Sequence, residues 1–184
     1  MHQLIETERL NLRILCASDV DVVLEYYEKN RSFLKPWEPL RPDGFYCKEM
    51  QTMSLKLDST SMERGEMVRY WLFTKDTNQL IGTVALTNII RGVFKSCFMG
   101  YKLSQGYVGM GYMSEALEKI IVLAFEEMKL HRIEANIMPR NAASIKLINK
   151  LGFKEEGISL KYLKINGKWE DHSRYALINE HLIE

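Results

Sequence analysis

The chain has 184 residues, with 25 lysines and arginines against 24 aspartates and glutamates, for a formal net charge of +1. This balance lacks the surplus of positive charge with which proteins hold a phosphate backbone, so no nucleic acid partner is expected. Hydrophobic residues at 46% and charged residues at 27% are ordinary globular values and exclude a disordered or fibrous chain. The longest apolar run, Ile120 to Phe125, is far shorter than a membrane helix, which predicts a cytoplasmic protein without a membrane partner.

The cysteine and histidine positions favour neither disulfides nor a metal site. Cys16, Cys47 and Cys97 are odd in number and widely spaced, which predicts reduced cysteines that fill the core. The four histidines show neither the i, i+4 spacing of a zinc-binding helix nor a nearby set of cysteine ligands. We therefore expect no metal.

The first part of the chain is predicted to form one strand and two helices. The strand spans Glu8 to Leu15, and Ser18 is the predicted N-cap of a helix that ends near Asn30. Three prolines predict an ordered loop from Ser32 to Gly44, and a second helix follows from about Cys47 to about Arg64. The apolar residues predicted to pack this second helix are Tyr46, Met50, Met53 and Leu57.

After Met67 the hydrophobic pattern changes to a period of two, which predicts three antiparallel strands in a meander. These strands span Met67 to Lys75, Leu80 to Asn88 and Phe94 to Leu103. A glycine-rich turn, Gly106-Tyr-Val-Gly-Met-Gly111, comes next. It leads into a helix whose apolar face extends to Met128.

The C-terminal part is predicted to be a strand, a helix and a hairpin. The strand spans Arg132 to Met138, and the helix spans Asn141 to Leu151 with Gly152 in a C-terminal capping position. Two strands, Phe153 to Ile165 and Lys168 to Ile178, pair across Asn166-Gly167, the dipeptide that most strongly favours a hairpin turn. A strand-helix-strand unit after a meander predicts an α/β fold with a mixed sheet and helices on both faces.

The glycine-rich turn between a strand and a helix is suited to a phosphate ligand. Glycines let backbone N–H groups approach closely, and the N-terminus of the helix adds a partial positive charge. A tight turn without a ligand is the alternative interpretation. The spacing differs from a dinucleotide fingerprint, and the sequence contains neither a P-loop nor a Gly-x-Ser-x-Gly nucleophile motif.

A second cluster begins at Asn141 and runs through Ser144 and Lys150 to Gly152-Phe153. Its residues could simply cap a helix at both ends. Together with the glycine turn, however, the cluster resembles the acetyl-CoA-binding core of the GNAT superfamily of N-acetyltransferases. Segments around Trp37, after His131 and from Asn166 to His172 look like the Rim-type branch, the ribosomal-protein N-terminal acetyltransferases.

The resemblance implies a single acetyltransferase domain over residues 1–184 with the GNAT acyl-CoA N-acyltransferase fold and acetyl-CoA as cofactor. Two departures are Gly106, where relatives have Arg or Gln, and Ile148, where many have a tyrosine as general acid. Phosphate binding would then depend on backbone N–H groups, and Ser144 or water would protonate the leaving thiolate. The implied cofactor-binding residues are Tyr101, Leu103, Val108, Gly109, Met110, Gly111, Tyr112, Met113, Asn141 and Ser144.

The acceptor amine is predicted to be the α-amine of a protein N-terminus. About a tenth of an α-amine is neutral at pH 7 against roughly 0.04% of a lysine amine, a difference of roughly 3.5 kcal/mol, and no strong base is evident. Asp171 and His172 are the candidate catalytic bases, with Glu38 as a third. Trp37 and Glu38 are candidates for substrate binding. The alternatives are a solvated strand face for Asp171 and His172, a loop charge for Glu38 and a packed loop anchor for Trp37.

The predicted mechanism is direct attack of the amine on the thioester, because Cys97 lies in a core-like strand and is a poor candidate for a nucleophile. One alternative function is acetylation of a small amine such as a polyamine or an aminoglycoside. The other is an acetyl-CoA-binding regulatory module without turnover. A homodimer is compatible with the resemblance, and the sequence leaves the oligomeric state open.

Overall fold

In the computed structural model, which describes residues 2–181, eight strands form one sheet with helices on both faces. The strands are β1 (Leu4–Glu6), β2 (Leu10–Arg13), β3 (Val68–Thr74), β4 (Leu80–Ile90), β5 (Ser96–Leu103), β6 (Arg132–Ile137), β7 (Lys154–Ile165) and β8 (Lys168–Ile178). The helices are α1 (Val20–Leu34), α2 (Lys48–Glu63), α3 (Tyr112–Val122) and α4 (Ala142–Lys150). Short 3-10 turns cover Ala17–Asp19, Lys35–Trp37, Asp43–Tyr46 and Gln105–Tyr107, and a π-helical turn, Leu123–Glu127, extends α3.

The strand order is β1-β2-β3-β4-β5-β6-β8-β7, and β5 with β6 is the parallel pair of an otherwise antiparallel sheet. The meander of β3, β4 and β5 and the mixed sheet confirm the predictions. The parallel pair consists of three residue pairs, Ser96 with Arg132, Cys97 with Ile133 and Phe98 with Glu134. Beyond them, β5 stays paired with β4 and β6 stays paired with β8, so the sheet opens between β5 and β6.

The two faces of the sheet carry separate hydrophobic clusters. Helices α3 and α4 pack on one face, where the buried side chains of α3 recur at helical spacing. Helices α1 and α2 cover the other face around Trp71 and Phe73. Because side chains alternate along a strand, Tyr70 and Leu72 belong to the first cluster, whereas Trp71 and Phe73 belong to the second.

Two locally encoded features agree with the sequence. Asn166 and Gly167 both have positive φ, at 43° and 83°, as the predicted two-residue hairpin turn between β7 and β8 requires. The Asn141 side chain caps α4 by accepting a hydrogen bond of 3.2 Å from the Ser144 N–H group, and Gly152 follows the helix with a φ of 88°. Both predictions are confirmed.

The N-terminal predictions need correction. Strand β2 is shorter than predicted, and a short edge strand, β1, lies beside it. Ser18 is not the cap of α1, because Asp19 occupies that position and its carboxylate accepts from the Cys16 N–H group. Helix α1 continues past Asn30 to Leu34, since the Asn30 side chain donates to the Tyr26 carbonyl within the helix. The predicted loop from residue 32 therefore starts later.

Helix α2 lies where predicted, but the prediction of which of its faces is buried is wrong. Met53 and Leu57 are 57% and 58% exposed, whereas Leu55 is 1% exposed. Gln51 is buried beside it and donates a 2.6 Å hydrogen bond to the Phe45 carbonyl. Tyr46, which precedes α2, does pack against the cluster of α1 and α2. The helix therefore docks through a satisfied polar side chain and one leucine, while Met50 joins the exposed apolar residues.

The cysteine prediction is partly wrong as well. Cys97 is buried, but Cys16 is exposed and Cys47 is half-buried, so they do not fill the core. All three are free thiols. Within the described part of the chain, no helix is long and apolar enough to span a membrane.

Candidate active site

The opening between β5 and β6 is the centre of the candidate site. From Met99 to Leu103, β5 pairs with β4 alone, so the backbone groups along its other edge face the opening. The Tyr101 hydroxyl lies 3.5 Å from the Ser144 carbonyl oxygen, which makes a long hydrogen bond from β5 to the start of α4. Burial raises the pKa of Tyr101 to about 12, so its hydroxyl is protonated at neutral pH. The predicted cofactor residues on β5 and α4 thus lie together.

The glycine turn leads directly into the N-terminus of α3. Gly109 and Gly111 have φ values of 82° and 83°, a conformation that side chains with a Cβ rarely adopt. Gly111 is the N-cap of α3, and its carbonyl accepts the first α-helical hydrogen bond from Glu115. The N–H groups of residues 112–114 precede that bond and have no carbonyl of the helix to bind. Free N–H groups at a helix N-terminus are a typical binding site for an anion.

The side chains of the predicted phosphate-binding segment differ in exposure. Val108 and Met110 are exposed, whereas the Met113 side chain is buried in the core. Lys150 belongs to the cluster that begins at Asn141 but is not among the predicted cofactor-binding residues. It donates a 3.1 Å hydrogen bond to Ser114 in the first turn of α3. This cation therefore lies beside the N-terminus of α3.

A partly buried ionic anchor, which the sequence analysis missed, fixes the first turn of α3. The Glu115 carboxylate accepts hydrogen bonds from the Thr7 hydroxyl at 2.5 Å and from the Arg9 N–H and Nε–H groups, both at 2.7 Å. Arg9 also donates to the Met110 carbonyl at 3.0 Å and lies over the Tyr112 ring. Burial alone would raise the pKa of Glu115, but the bonds from Thr7 and Arg9 outweigh it and lower that pKa.

Ile148 is fully buried in the core, and its apolar side chain supplies no acid. The Ser144 hydroxyl is on the first turn of the same helix and is half-buried. Its N–H group binds Asn141 and its carbonyl oxygen receives the Tyr101 hydroxyl. These contacts fix the backbone of Ser144 beside the opening.

The loop after α1 is attached to the β7–β8 hairpin. The Arg140 guanidinium lies 4.8 Å from the centre of the Trp37 ring and donates to the Pro36 carbonyl at 2.8 Å. The same guanidinium bonds Glu170 at 3.3 Å. Next to it, the Asn166 N–H group donates to the Glu38 carbonyl at 2.8 Å. Trp37 therefore lies at one wall of the opening, on the α1 and α2 face of the sheet.

Glu38 is a buried anion with two cationic partners. Its side chain is 6% exposed and forms ion pairs with Lys102 of β5 and, at 3.1 Å, with Arg41. Burial raises the pKa of the Glu38 carboxyl, but Lys102 and Arg41 outweigh that effect and lower it below the ordinary range. The carboxylate is therefore ionised and neutralised by its partners, which makes it a weak base.

His172 and Asp171 are neighbours on β8 but point to opposite faces of the sheet. His172 is 3% exposed, and its Nδ1 lies 3.0 Å from the Glu170 carbonyl oxygen. Because a carbonyl only accepts, Nδ1 donates the hydrogen of this bond, and Nε2 is the ring nitrogen left to act as an acceptor. The Asp171 carboxylate accepts a 2.8 Å hydrogen bond from the Lys161 N–H group, across an irregular stretch of β7.

Cys97 lies on β5 before the opening, in the part of the strand that pairs with β6. Its side chain is fully buried, and burial raises the pKa of the thiol to about 12. A thiol with such a pKa is protonated at neutral pH and is a poor nucleophile. Among residues 2–181, no three or more His, Cys, Asp and Glu side chains gather as they would around a metal ion.

Residues 9–154 match the family model described as the acetyltransferase (GNAT) domain. The chain belongs to this family. A probable N-acetyltransferase of Bacillus subtilis, YjcK, is 38% identical over 176 residues, which cover 96% of this chain and 97% of the relative. The alanine N-acetyltransferase of ribosomal protein uS5 from Escherichia coli is 37% identical over 171 residues, 93% of this chain and 88% of the relative.

A solved structure agrees with these sequence relatives. The ribosomal-protein-S5-alanine acetyltransferase from Vibrio fischeri matches with a TM-score of 0.93 and 35% identity, and the match covers 98% of this chain and 99% of that one. The protein is therefore an N-acetyltransferase with the GNAT fold, as the sequence analysis predicted.

Proposed function

We propose that this protein transfers the acetyl group of acetyl-CoA to the α-amino group at the N-terminus of a ribosomal protein. The observation that carries the proposal is the similarity, over nearly the whole chain, to the uS5-alanine enzyme of E. coli and the S5-alanine enzyme of V. fischeri. The similarity includes the loop after α1 and the β7–β8 hairpin, the two elements that border the opening on the side away from α3 and α4.

Acetyl-CoA fits the opening and the glycine turn. The free edge of β5 offers backbone groups to the pantetheine arm, and the N-terminus of α3 offers N–H groups to the pyrophosphate. No heavy atom of the described chain lies within 4 Å of a Cβ built on Gly109, so the turn has open space where a phosphate would bind. We assign cofactor binding to Tyr101, Leu103, Val108, Gly109, Met110, Gly111, Tyr112, Met113, Asn141 and Ser144.

The reaction proceeds by direct attack. The amine nitrogen forms a bond to the thioester carbonyl carbon, and the carbon–sulfur bond breaks to release the thiolate. His172 accepts the proton that the amine loses, because its Nε2 has a lone pair and because Glu38 and Asp171 are already engaged with Lys102 and the Lys161 N–H group. Ser144 or a water molecule protonates the thiolate, which is a tolerable leaving group with a thiol pKa of about 8.5.

An α-amine suits this site better than a lysine amine. Asn136, Arg174 and His172 share one face of the sheet, and of these three side chains His172 alone can accept a proton, so an amine with a pKa near 10.4 would stay largely protonated there. An α-amine with a pKa of about 7.7 to 8.0 needs far less help. Trp37 would contact the first residues of the acceptor peptide.

The test measures thiol release from acetyl-CoA with a panel of acceptors. Peptides that begin with Ala, Ser or Thr are compared with polyamines and aminoglycosides, and a peptide with a blocked N-terminus and an internal lysine is the control. We expect release with free N-termini and none with the blocked peptide. Release with small amines alone would move the function to that class, and acetyl-CoA binding without release would indicate a regulatory module.

We further propose that residues 1–184 act as one acetyltransferase domain in the cytoplasm. Support for the compartment comes from the acceptor, because ribosomal proteins are made there, and from three cysteines that are all free thiols. Fractionation of cells that express the tagged chain tests the compartment, and limited proteolysis tests the single domain.

A further inference from the structure

Two buried polar atoms beside the opening have no hydrogen-bond partner within residues 2–181. They are the Oδ1 atom of Asn136 on β6 and the Nε atom of Arg174 on β8. The two residues are directly opposite each other in the β6–β8 ladder, so their side chains are neighbours on one face. Native proteins rarely leave such atoms unmatched, and a donor next to an acceptor suggests a ligand that has both.

Asn136 lies where the sheet opens. The last pair between β5 and β6 is Phe98 with Glu134, and Asn136 is two residues further along β6. The residue two further along β5 is Gly100, which is exposed and has no described heavy atom within 4 Å of the position of a Cβ. The Asn136 side chain points to the α1 and α2 face, since Ala135 and Ile137 pack on the α3 and α4 face.

Arg174 is fixed in place by an ionic network on the same face. Its Nη2 donates a 2.9 Å hydrogen bond to the Glu134 carboxylate, which also binds Arg132 at 2.9 Å. Burial raises the pKa of Glu134, but the bonds from Arg132 and Arg174 outweigh it and lower that pKa, so the network stays charged. With Nη2 anchored, the Nε–H group has a defined direction, and it has no hydrogen-bond partner among residues 2–181.

We propose that Asn136 and Arg174 bind the first residue of the acceptor peptide. Asn136 Oδ1 accepts a hydrogen bond from the α-amine, and Arg174 Nε donates one to the carbonyl oxygen of the same residue. An N-terminal amino acid carries this donor nitrogen and acceptor oxygen three bonds apart on one backbone, whereas a polyamine carries no carbonyl at all. The inference rests on the proposed function and deepens it, because it makes the first carbonyl of the peptide a determinant of specificity.

The first experiment removes that carbonyl from the substrate. An Ala-initiated peptide is compared with an analogue in which a trans-alkene replaces the first amide bond, at saturating acetyl-CoA. We expect kcat/KM of the wild-type enzyme to fall about ten-fold or more with the alkene, as for a lost hydrogen bond to a charged group. Arg174→Lys keeps a cation for Glu134 but has no Nε–H group, so this variant should treat the two substrates within about two-fold of each other.

The second experiment uses a matched pair of asparagines. Asn11 on β2 also has a buried Oδ1 without a partner in the described chain, but it lies far from β6 in the strand order. Asn136→Ala should lower kcat/KM for the peptide about ten-fold, with KM for acetyl-CoA and the unfolding midpoint unchanged. Asn11→Ala should leave all three values unchanged. A purely structural role for Asn136 would instead lower the midpoint.

The results separate this inference from the proposed function. Peptide turnover by the wild-type enzyme with equal rates for the amide and the alkene overturns the inference and leaves the function intact. Full peptide activity in Asn136→Ala overturns it as well. Wild-type enzyme that acetylates polyamines but no peptide overturns both.

Discussion

Replacing Glu115 by glutamine tests whether the ionic anchor holds the glycine turn. In Glu115→Gln, one oxygen can still accept from the Thr7 hydroxyl and the Arg9 N–H group, but an NH₂ group faces the Arg9 Nε–H donor. The lost bond is charge-assisted and worth about 1.5–3 kcal/mol where it is buried. The Arg9 side chain is 40% exposed, so screening by solvent reduces the expected loss of folding free energy to about 1–2 kcal/mol.

This loss is measurable by thermal and chemical unfolding. For a chain of this size it corresponds to a fall in the unfolding midpoint of about 2–8 °C. Arg9 also bonds the Met110 carbonyl in the turn, so KM for acetyl-CoA should rise in the variant. Glu126→Gln is the control, because it removes the same charge from an exposed position on the helical extension of α3.

The pH dependence gives the prediction a defined sign. The pKa of Glu115 is lowered in the folded protein from its ordinary value of 4.5, so its ionised form stabilises the fold fully above that value. The stabilisation is lost as the pH falls through the lowered pKa. The difference between wild type and variant should therefore be constant above about pH 6 and shrink below pH 4.5. A difference that persists into strong acid, or no difference at neutral pH, would refute the role of the anchor.

Three further substitutions test the site. His172→Gln should lower kcat/KM for the peptide by about 10² to 10⁴ through loss of the base, with acetyl-CoA affinity by calorimetry unchanged, and wild-type turnover would exclude this role. Cys97→Ala should keep most of its turnover in the thiol-release assay, because the thiol has a raised pKa of about 12, and a folded but inactive variant would contradict direct attack. Gly109→Ala forces a side chain into left-handed backbone at a cost of about 1–2 kcal/mol and should raise KM for acetyl-CoA. Gly106→Ala, at a glycine without positive φ, is the control, and equal KM values in the two variants would argue against the turn as the phosphate site.

Features encoded by neighbouring residues could be predicted from the sequence. The hairpin at Asn166-Gly167 and the capped helix that starts after Asn141 depend on side chains and backbone conformations a few residues apart. The turn at Gly109 and Gly111 was predictable for the same reason, because only glycine accepts its backbone readily. These local features also contain the family pattern, so the turn and the helix that carry the proposed cofactor residues were the local structures best predicted.

Helix α2 shows where periodicity misleads. Met50, Met53 and Leu57 recur at helical spacing and suggested a buried face, yet all three are exposed. The buried Gln51 is stabilised by the Phe45 carbonyl, a backbone partner outside the helix that hydrophobicity does not reveal. The orientation of a helix with few apolar residues is set by the surface it meets, which the pattern does not contain.

The contacts around the proposed acceptor side could not be predicted, because they join distant parts of the chain. Arg140 meets the loop at Trp37, and Lys102 meets Glu38, across long sequence separations. Asn136 has no distinguishing pattern in the sequence, and its buried oxygen stands out only in the folded chain, where it has no partner among residues 2–181. Such long-range contacts produce no periodic pattern in the sequence.

The short ladder between β5 and β6 connects the folding stability of this enzyme to its proposed cofactor. Only three residue pairs join the two parts of the sheet, and beyond them the interior edge of β5 lacks a neighbouring strand. The pantetheine arm of acetyl-CoA, bound along this edge as we propose, would supply the missing interstrand bonds and so act as a structural component. By mass action, a ligand at 100 times its dissociation constant adds about 2.7 kcal/mol to folding stability. If acetyl-CoA binds here as we propose, the enzyme without it would unfold more often, and its resistance to a protease should rise with the acetyl-CoA concentration.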